Sequence, residues 1–503
     1  MIAIMFTLCS CDDYLTLYPE DEMIEDEYWV SGNNVQNVVA SVYRYAADDN
    51  VLRKMIYWGE LRGDNLSYTT GGTDEENLYN ANLLSSSSLT KWDGFYKVIN
   101  ICNLVIDRAP GVRAKDPNFT EERLNCYMSE AYAMRALMYF YLIRAFGDVP
   151  YITTPSDSEQ KDYQVAQTDD EEILDMLIAD LEEKALAWAP YSWDTEEYTH
   201  GRITTDAVRC LLADMYLWKA SQKKYEGETQ YYQKCVDYCD AVINDDRSTH
   251  VFSEPDMMYS EVFGMGNASE NIFELNFTNG GLANNATASL YGNTSKGTNP
   301  HFLPTAQLLS LYSKEDTRRY QYMKLNYVVS GGEAAVNSQF VFKYEGQTPD
   351  TDWGVGGGRY RSASSYANWI FYRMADVYLM KAEALAVMGD NSALEMCNVI
   401  YSRATENKEL LDDTEKILTT VYKERQRELC FEGKRWFDLM RMVRRDGMTD
   451  NALALLLVSR TGDNDLYQTR LSSIDAWYVP INKDEMNSNP NLHQNAYYTL
   501  KEK

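Results

Sequence analysis

The sequence predicts a mostly α-helical protein: a tetratricopeptide-like solenoid of helical hairpins (an α-α superhelix), wrapped by long irregular loops and with little strand. Three observations lead to this fold class. Apolar residues recur at helical spacing through most of the 503 residues. Two segments repeat one helix–turn–helix plan, and three long polar stretches interrupt the helices. The hydrophobic content of 45% is enough to build a large core.

The first repeated hairpin is predicted over 204–244. Val208, Leu211 and Met215 lie on one face of a helix. Asp206 falls in the first turn, where the helix dipole favours an acid. A polar break over 222–230 separates this helix from a second one, over roughly 231–244.

The same plan recurs over 375–404, where alanines on one face allow two helices to approach closely. Gly389 suits the left-handed position that ends a helix. Ser392 followed by Glu395 predicts a capping box that starts the partner helix. This unit resembles a tetratricopeptide repeat, whose period is about 34 residues. Helical pairs near 93–146 and 170–188 extend the series.

Three long loops are predicted over 64–90, 276–301 and 345–369. All are rich in Gly, Asn, Ser and Thr, and each contains Tyr or Trp. Loops longer than about 15 residues in a compact protein are usually functional or disordered. We therefore expect the binding residues to lie in these loops.

The first residues resemble the end of a lipoprotein signal. An apolar run leads to Leu8-Cys9-Ser10-Cys11, in which a small residue precedes the cysteine that is cleaved and acylated. Ten residues precede Cys11 and none is basic, so 1–10 is interpreted as a truncated signal remnant. Two aspartates follow at once, as in lipoproteins displayed on the outer face of the outer membrane. The alternative is an apolar N-terminus without a lipid.

Charge and composition exclude several function classes. A net charge of −29 argues against binding nucleic acid or docking on anionic lipid through basic residues. The nine cysteines are scattered, and with four histidines no zinc-binding spacing can be assembled. No HExxH, GxSxG or P-loop motif occurs. We expect neither an enzyme nor a cofactor or metal site. Whether a calcium ion supports one of the loops stays open.

Eight stretches, in this order and spacing, resemble the SusD/RagB family. The last two are the most specific. They are ELRGDN (60–65), WDGFYKVINICN (92–103), SEAYAMRALMYFYLIRAFGDVPYI (129–152), GRITTDAVRCLLADMYLWKA (201–220), SENIFELNF (269–277), YRMADVYLMKAEAL (372–385), KERQRELCFEGKRWFDLMR (423–441) and WYVPINKDEMNSNPNLHQN (477–495).

The resemblance covers nearly the whole chain from Cys11. It implies a SusD-like helical region over 11–250 and a C-terminal SusD/RagB region with binding loops over 251–503. It also implies a surface-exposed, lipid-anchored outer-membrane protein that binds a glycan and delivers it to a SusC-like TonB-dependent transporter. A peptide-binding, RagB-like partner on the same scaffold is the alternative, followed by a helical glycoside hydrolase or a plain scaffold.

The loop aromatics are the candidate ligand-binding residues, because a sugar ring packs a C–H-rich face on Trp or Tyr. DTDWGVGGGRYR offers Trp353 and Tyr360 as platforms and Arg359 as a forked hydrogen-bond donor. Tyr68, Tyr79 and Tyr291 are further candidates. Asp64 is either an acceptor for sugar hydroxyls or simply a turn residue in Gly-Asp-Asn.

The charged stretch 423–441 is interpreted as structural rather than catalytic. Its acids and arginines recur three residues apart, which makes them neighbours on a helix. Arginine pairs with carboxylates in a strict bidentate geometry, which suits the packing of helices against each other. The predicted pairs are Glu424 with Arg427, Glu432 with Arg435, and Asp438 with Arg441.

Overall fold

The computed structural model describes residues 28–156, 163–222, 224, 229–255, 257–278, 282–292, 299–330, 333–348, 359–360, 366–405, 410–447, 450–458 and 464–501. The predicted signal remnant 1–10, Cys11 and Trp353 lie outside these residues. Among the described helices, none combines the length and apolar character needed to cross a bilayer.

The first half of the described chain is mostly helical, as predicted. Short π-helical turns lie at Tyr57–Leu61 and Leu181–Ala185. The helices are α1 Gly32–Ala46, α2 Asp49–Ile56, α3 Thr73–Tyr79, α4 Asp93–Val112, α5 Glu121–Phe146, α6 Asp170–Asp180, α7 Leu186–Trp188, α8 Glu196–Gly201, α9 Thr205–Ala220 and α10 Gln230–Ile243.

The second half adds further helices and short turns, including a π-helical turn at Ser260–Met265 and a 3-10 turn at Ile474–Trp477. The helices are α11 Asn285–Leu290, α12 Ala306–Ser310, α13 Arg318–Gln321, α14 Met374–Val387, α15 Ser392–Ala404, α16 Ile417–Leu429, α17 Arg435–Asp446, α18 Asp450–Val458, α19 Asn464–Arg470, α20 Lys483–Ser488 and α21 Ala496–Lys501.

Strands are short and pair two by two, all antiparallel, among the described residues. The strands are β1 Leu66–Tyr68, β2 Val149–Pro150, β3 Gln167–Thr168, β4 Asn271–Leu275, β5 Phe302–Pro304, β6 Met323–Ser330, β7 Glu333–Val341, β8 Gly346–Thr348, β9 Arg359–Tyr360 and β10 Trp369–Arg373. The pairs are β1–β5, β2–β3, β4–β10, β6–β7 and β8–β9.

The predicted hairpins over 93–146, 204–244 and 375–404 are confirmed and stack into a solenoid. The segment 170–188 is not a helical pair, because α6, the π-helical turn at Leu181–Ala185 and α7 follow one another without a break. α4 packs on α5, α9 on α10, and α14 on α15, and α10 packs in turn on α14. Gly389 follows α14 with a φ of +79°, as its predicted position at a helix end requires. One apolar core runs through both halves. The predicted domain boundary between 250 and 251 stays a prediction.

Two kinds of local prediction are wrong. The segment 64–90 is not an irregular loop, because it contains β1, α3 and a 3-10 turn at Ser88–Thr90. Regular elements also interrupt the other two predicted loops: α11 lies within 276–301, and β8 and β9 lie within 345–369. Ser392 and Glu395 do not form a capping box. The Ser392 N–H donates to Asp390 Oδ1 at 2.9 Å, and no side chain caps α15 through its N-cap residue, Asn391. The aspartate of the Gly-Asp turn has taken the capping role.

Buried charges join α16 to the strands and helices around it. Arg318 is fully buried and donates to Glu424 and Glu428, each at 2.7 Å, and to both oxygens of Asp316. Arg373 at the end of β10 reaches Glu428 at 2.7 Å. We call the set Glu270, Asp316, Arg318, Lys343, Arg373, Arg403, Glu424, Glu428 and Glu432 the Glu428 network.

Two of the three predicted ion pairs are confirmed. Arg427 pairs with Glu424, and Arg441 with Asp438, each at 2.7 Å. The third prediction is wrong, since α16 ends before Glu432 and α17 starts at Arg435, so helical spacing does not apply between them. The outcome for these residues is different: Glu432 pairs with Lys343 and Arg373, and Arg435 pairs with Asp64.

The turn between α16 and α17 is fixed by a carboxylate from the other end of the chain. Phe431 and Gly433 adopt positive φ values of 71° and 73°. Their backbone N–H groups donate to the Glu60 carboxylate at 2.9 and 3.1 Å. A side chain more than 370 positions away therefore satisfies backbone donors that the turn leaves without helical partners.

The Glu428 network predicts that single charge removals are costly. Removing one partner leaves a buried charge uncompensated, which typically costs about 3–5 kcal/mol. Glu428→Gln should lower the free energy of unfolding by about that amount, because Arg318 and Arg373 lose a shared carboxylate. Urea denaturation followed by circular dichroism measures the effect.

The matched control is Glu415→Gln, which removes the same charge from an exposed pair with Lys423. It should change stability by about 0–1 kcal/mol. Equal effects of the two substitutions would contradict a structural role for the Glu428 network.

The buried carboxylates also predict acid sensitivity. Burial alone would raise the pKa of Asp438, but the guanidinium groups of Arg425 and Arg441 lower it to about 2. An unfolded aspartate titrates near about 3.9, so its stabilising contribution is complete above that pH and is lost as pH falls toward 2. Asp438→Asn should reduce the pH dependence of the unfolding free energy between about pH 4 and 2. Urea titrations at several pH values test this, and an unchanged slope would contradict it.

Candidate ligand-binding face

The Gly-Asp-Asn motif before β1 is structural. The Asp64 carboxylate is fully buried and accepts from Arg435 Nε and Nη2 at 2.6 and 2.9 Å. Gln426 Nε2 also donates to it, at 3.1 Å. The prediction that Asp64 accepts hydrogen bonds from a ligand is therefore wrong, because its oxygens are occupied by two helices. The pair instead positions the start of β1.

β1 and β5 hold the next residues in place. Tyr68 lies opposite Phe302 in their ladder. Thr305, just after β5, donates through its side chain to Asp64 O and through its backbone to Asn65 O, each at 2.9 Å. Gln339 of β7 donates to Pro304 O at 2.9 Å, so the β6–β7 hairpin adjoins the same strand pair.

Three aromatic rings form what we call the Tyr68 stack. Tyr68 and Tyr79 stack with centroids 6.2 Å apart, and Phe302 meets Tyr68 edge to face at 5.7 Å. Tyr79 is buried, whereas Tyr68 is half-buried. Of these two predicted platforms, Tyr68 retains surface for a ligand and Tyr79 mainly supports it.

A hydrogen-bonded acid fixes α3 behind the Tyr68 stack. Glu75 accepts from the Tyr57 hydroxyl, from His301 Nδ1 at 3.1 Å and from Gly72 N at 3.1 Å. Burial would raise the pKa of Glu75, but the hydrogen bonds from His301 and Tyr57 lower it. A charged carboxylate, rather than solvent, thus accepts the hydrogen bond from the backbone at the start of α3.

A cavity of about 460 Å³, which we call the amide cavity, opens beside α3. Its volume lies within the roughly 300–1,000 Å³ typical of ligand pockets. Tyr79 lies between the lining residues Asn77 and Asn80 in the sequence and stacks on Tyr68, so the cavity and the Tyr68 stack are neighbours. The lining residues are Glu76, Asn77, Asn80, Asn82, Leu466, Tyr467 and Arg470.

Some polar groups of the amide cavity are held by the protein and others are available. Asn82 Nδ2 donates to Asn77 Oδ1 at 3.1 Å, and Arg470 donates to Asn80 O at 2.9 Å. Within the described part of the chain, the Glu76 carboxylate and the Asn80 side-chain amide make no hydrogen bond. Together these side chains offer donors and acceptors to a ligand, and the charges of Glu76 and Arg470 balance each other.

The remaining predicted site residues have different outcomes. Tyr291 is fully buried and donates its hydroxyl to Phe431 O at 2.9 Å, so its prediction as a ligand platform is wrong. Arg359 and Tyr360 form β9, opposite Thr348 and Gly346 of β8. Only their backbone is described, and Trp353 lies outside the described residues. These three stay predictions.

Sequence reasoning missed the residues that line the amide cavity. The sequence signal for these residues is the asparagine-rich run ENLYNAN over 76–82, which is typical of a polar loop. Arg470 carries no local signal, because it reaches Asn80 from 390 positions away. Only the fold could bring it to the cavity.

Comparisons with known proteins agree on one family. A family model described as the SusD family matches residues 216–498. A second, described as starch-binding associating with outer membrane, matches residues 13–217. SusD-like protein P38 of Formosa agariphila is 25% identical, over 98% of this chain and 96% of the relative. A SusD-like protein of Bacteroides ovatus is 24% identical, over 88% of this chain and 81% of its own.

Solved structures share the fold at low sequence identity. A SusD superfamily protein of Bacteroides fragilis aligns with a TM-score of 0.76 and 20% identity, covering 94% of this chain and 100% of its own. A SusD homolog of Bacteroides thetaiotaomicron aligns with a TM-score of 0.72 and 22% identity, covering 94% and 99%. The helical, tetratricopeptide-like architecture is therefore shared across nearly the whole chain.

Proposed function

The chain belongs to the SusD family, and we propose that it is an outer-membrane glycan-binding protein that captures an oligosaccharide and delivers it to a SusC-like TonB-dependent transporter. Two comparisons support this proposal. The family model over residues 13–217 describes starch-binding proteins that associate with the outer membrane. The relatives named above are SusD-like along most of the chain.

The amide cavity is the observation that most favours a glycan as the ligand. A sugar presents hydroxyl groups that both donate and accept, and side-chain amides do the same. The Asn77–Asn82 pair and Arg470 are already oriented by protein contacts, so a ligand loses little free energy in ordering them. The near balance of charge suits a neutral polyol.

We assign the aromatic part of the site to Tyr68 and to the segment with Trp353, Arg359 and Tyr360. Tyr68 supports this because its half-buried ring stacks on Tyr79, next to the cavity residues Asn77 and Asn80. β7 adjoins the β1–β5 pair and is followed along the chain by β8 and then by Trp353. A ring face there and hydroxyl partners in the amide cavity would together hold an oligosaccharide.

The proposed activity is binding without hydrolysis. Glycoside hydrolysis normally needs two carboxyl groups flanking one bond. Among the described residues that line the amide cavity, Glu76 is the only acid. This composition supports capture rather than turnover of the sugar.

The glycan proposal is tested by array screening followed by calorimetric titration with the tightest oligosaccharide. Asn80→Ala and Trp353→Ala should each weaken binding about ten-fold or more, because anchor residues contribute on the order of 1–3 kcal/mol. Asn118→Ala, which changes an exposed asparagine on the α4–α5 connection, should leave the affinity unchanged. The three variants should keep the wild-type melting temperature.

Three outcomes would overturn parts of this proposal. Unchanged affinity in both Asn80→Ala and Trp353→Ala would place the site elsewhere. Binding to extended peptides and to no glycan would favour the peptide-binding alternative. New reducing ends after prolonged incubation with the oligosaccharide would show an enzyme.

We further propose that Cys11 carries the lipid anchor. With a complete lipoprotein signal sequence ending at Ser10, the protein should incorporate labelled palmitate and fractionate with outer membranes. Cys11→Ala should abolish the label, whereas Cys9→Ala, which alters only the small residue two positions earlier, should retain it. Palmitate labelling of the Cys11→Ala protein would refute the assignment.

A further inference from the structure

A second cavity, of about 420 Å³, lies at the start of α4. We call it the Trp92 cleft. It is bounded by the first turns of α4, by the segment 150–156 and by α20 with the residues after it. The two cavities have no lining residue in common. The residues used below are Trp92, Tyr96, Ile99, Asn100, Ile152 and Glu485.

Two aromatic rings form a fixed wall of the Trp92 cleft. Trp92 and Tyr96 meet edge to face with centroids 5.6 Å apart. The Tyr96 hydroxyl donates to Pro150 O at 2.7 Å, which locks the ring while its face stays half-buried. Ile99 and Ile152 add aliphatic surface. A ring already held in place binds a ligand face without an ordering cost.

A half-buried carboxylate lies on this wall. Glu485 lies beside Trp92 in the cleft, and burial raises the pKa of its carboxyl group. Among the described residues, no lysine or arginine pairs with it. The two nearby lysines are committed elsewhere, since Lys91 pairs with Asp484 at 3.1 Å and Lys54 with Asp93 at 3.3 Å. Glu485 retains acceptor capacity for a ligand.

An oriented amide supplies the matching donor. Asn100 Oδ1 accepts from Ser156 N at 2.7 Å, and this hydrogen bond fixes the orientation of the side-chain amide. Its Nδ2 group makes no hydrogen bond to any residue that the structure describes. Both Asn100 and Glu485 line the cleft. An acceptor and a donor therefore accompany an aromatic face in one cavity.

We propose that the Trp92 cleft is a second carbohydrate-binding site, which holds a neutral pyranose sugar with its C–H face on Tyr96 and its hydroxyl groups on Glu485 and Asn100. This site is separate from the one assigned above and does not rest on it. Two sugar contacts on one chain would raise the avidity for a polysaccharide that spans both, with no change in either contact.

Charge restricts the sugars that fit. Asp93 also lines the cleft, with its side chain 61% exposed, so two carboxylates face the ligand. A neutral hexose meets no penalty there, whereas a uronic acid is repelled. The cleft should therefore discriminate glucose from glucuronate, which have similar shapes.

Methyl NMR tests the proposal directly, because Ile99 and Ile152 carry methyl groups in the cleft. The full chain is labelled at isoleucine δ1 methyls, assigned with Ile99→Val and Ile152→Val. It is titrated with glucose, galactose, mannose and N-acetylglucosamine, and with glucuronate for comparison. We expect saturable shifts of both methyls with at least one neutral sugar, and none with glucuronate.

Variants of nearly equal size separate binding from folding. Asn100→Asp keeps the acceptor for Ser156 N and removes the donor. Glu485→Gln keeps the size of the side chain and removes the charge. Each should weaken sugar binding about ten-fold, as expected for lost hydrogen bonds to ligand hydroxyls. Glu122→Gln, an exposed change on α5, should behave as wild type.

The amide-cavity variant Asn80→Ala should leave the Ile99 and Ile152 shifts intact, which distinguishes this proposal from the first. Failure of all four neutral sugars to shift either methyl would overturn it. Shifts that persist unchanged in both Asn100→Asp and Glu485→Gln would do the same. Shifts caused by cadaverine and not by sugars would assign the cleft to ammonium ligands instead.

Discussion

The bidentate pair between Arg435 and Asp64 is the contact on which the proposed binding face depends. It joins the start of α17 to the residues just before β1, and Glu60 anchors the preceding turn through the Phe431 and Gly433 N–H groups. A buried guanidinium requires a carboxylate beside it, so this geometry leaves little freedom. The positions of β1, the Tyr68 stack and α3 follow from it.

A rigid scaffold with polar cavities suits the capture of a flexible, weakly hydrophobic ligand. The helical hairpins commit their apolar faces to one core, and the two cavities form beside the polar surfaces of α3 and α19 and of α4 and α20. Each cavity contains side chains that the protein has already oriented, such as the Asn77–Asn82 pair and Asn100. Binding free energy is then not consumed in ordering the site, which matters for sugars because each hydroxyl contact contributes little.

The electrostatic character of the chain agrees with a neutral ligand. With a net charge of −29, the surface repels anions at long range, although salt screens this beyond about 8–10 Å. Neutral oligosaccharides approach without that penalty. Charges inside the two cavities favour a neutral ligand at short range as well. Arg470 balances Glu76 at the amide cavity, and two acids line the Trp92 cleft.

Contacts between neighbours within a helix could be predicted from the sequence, whereas pairs between distant segments could not. Helix periodicity determined the hairpins α9–α10 and α14–α15, and three-residue spacing determined the Glu424–Arg427 pair, because both depend on neighbours within one turn. Glu432 and Asp64 took partners from distant segments, and Arg470 reached Asn80 across 390 positions. A carboxylate, tyrosine or asparagine has the same sequence signal whether it is buried, exposed or in a cavity. Only the tertiary structure decided that Asp64 and Tyr291 belong to the core and that Asn80 lines a cavity, since burial depends on which surfaces the fold brings together.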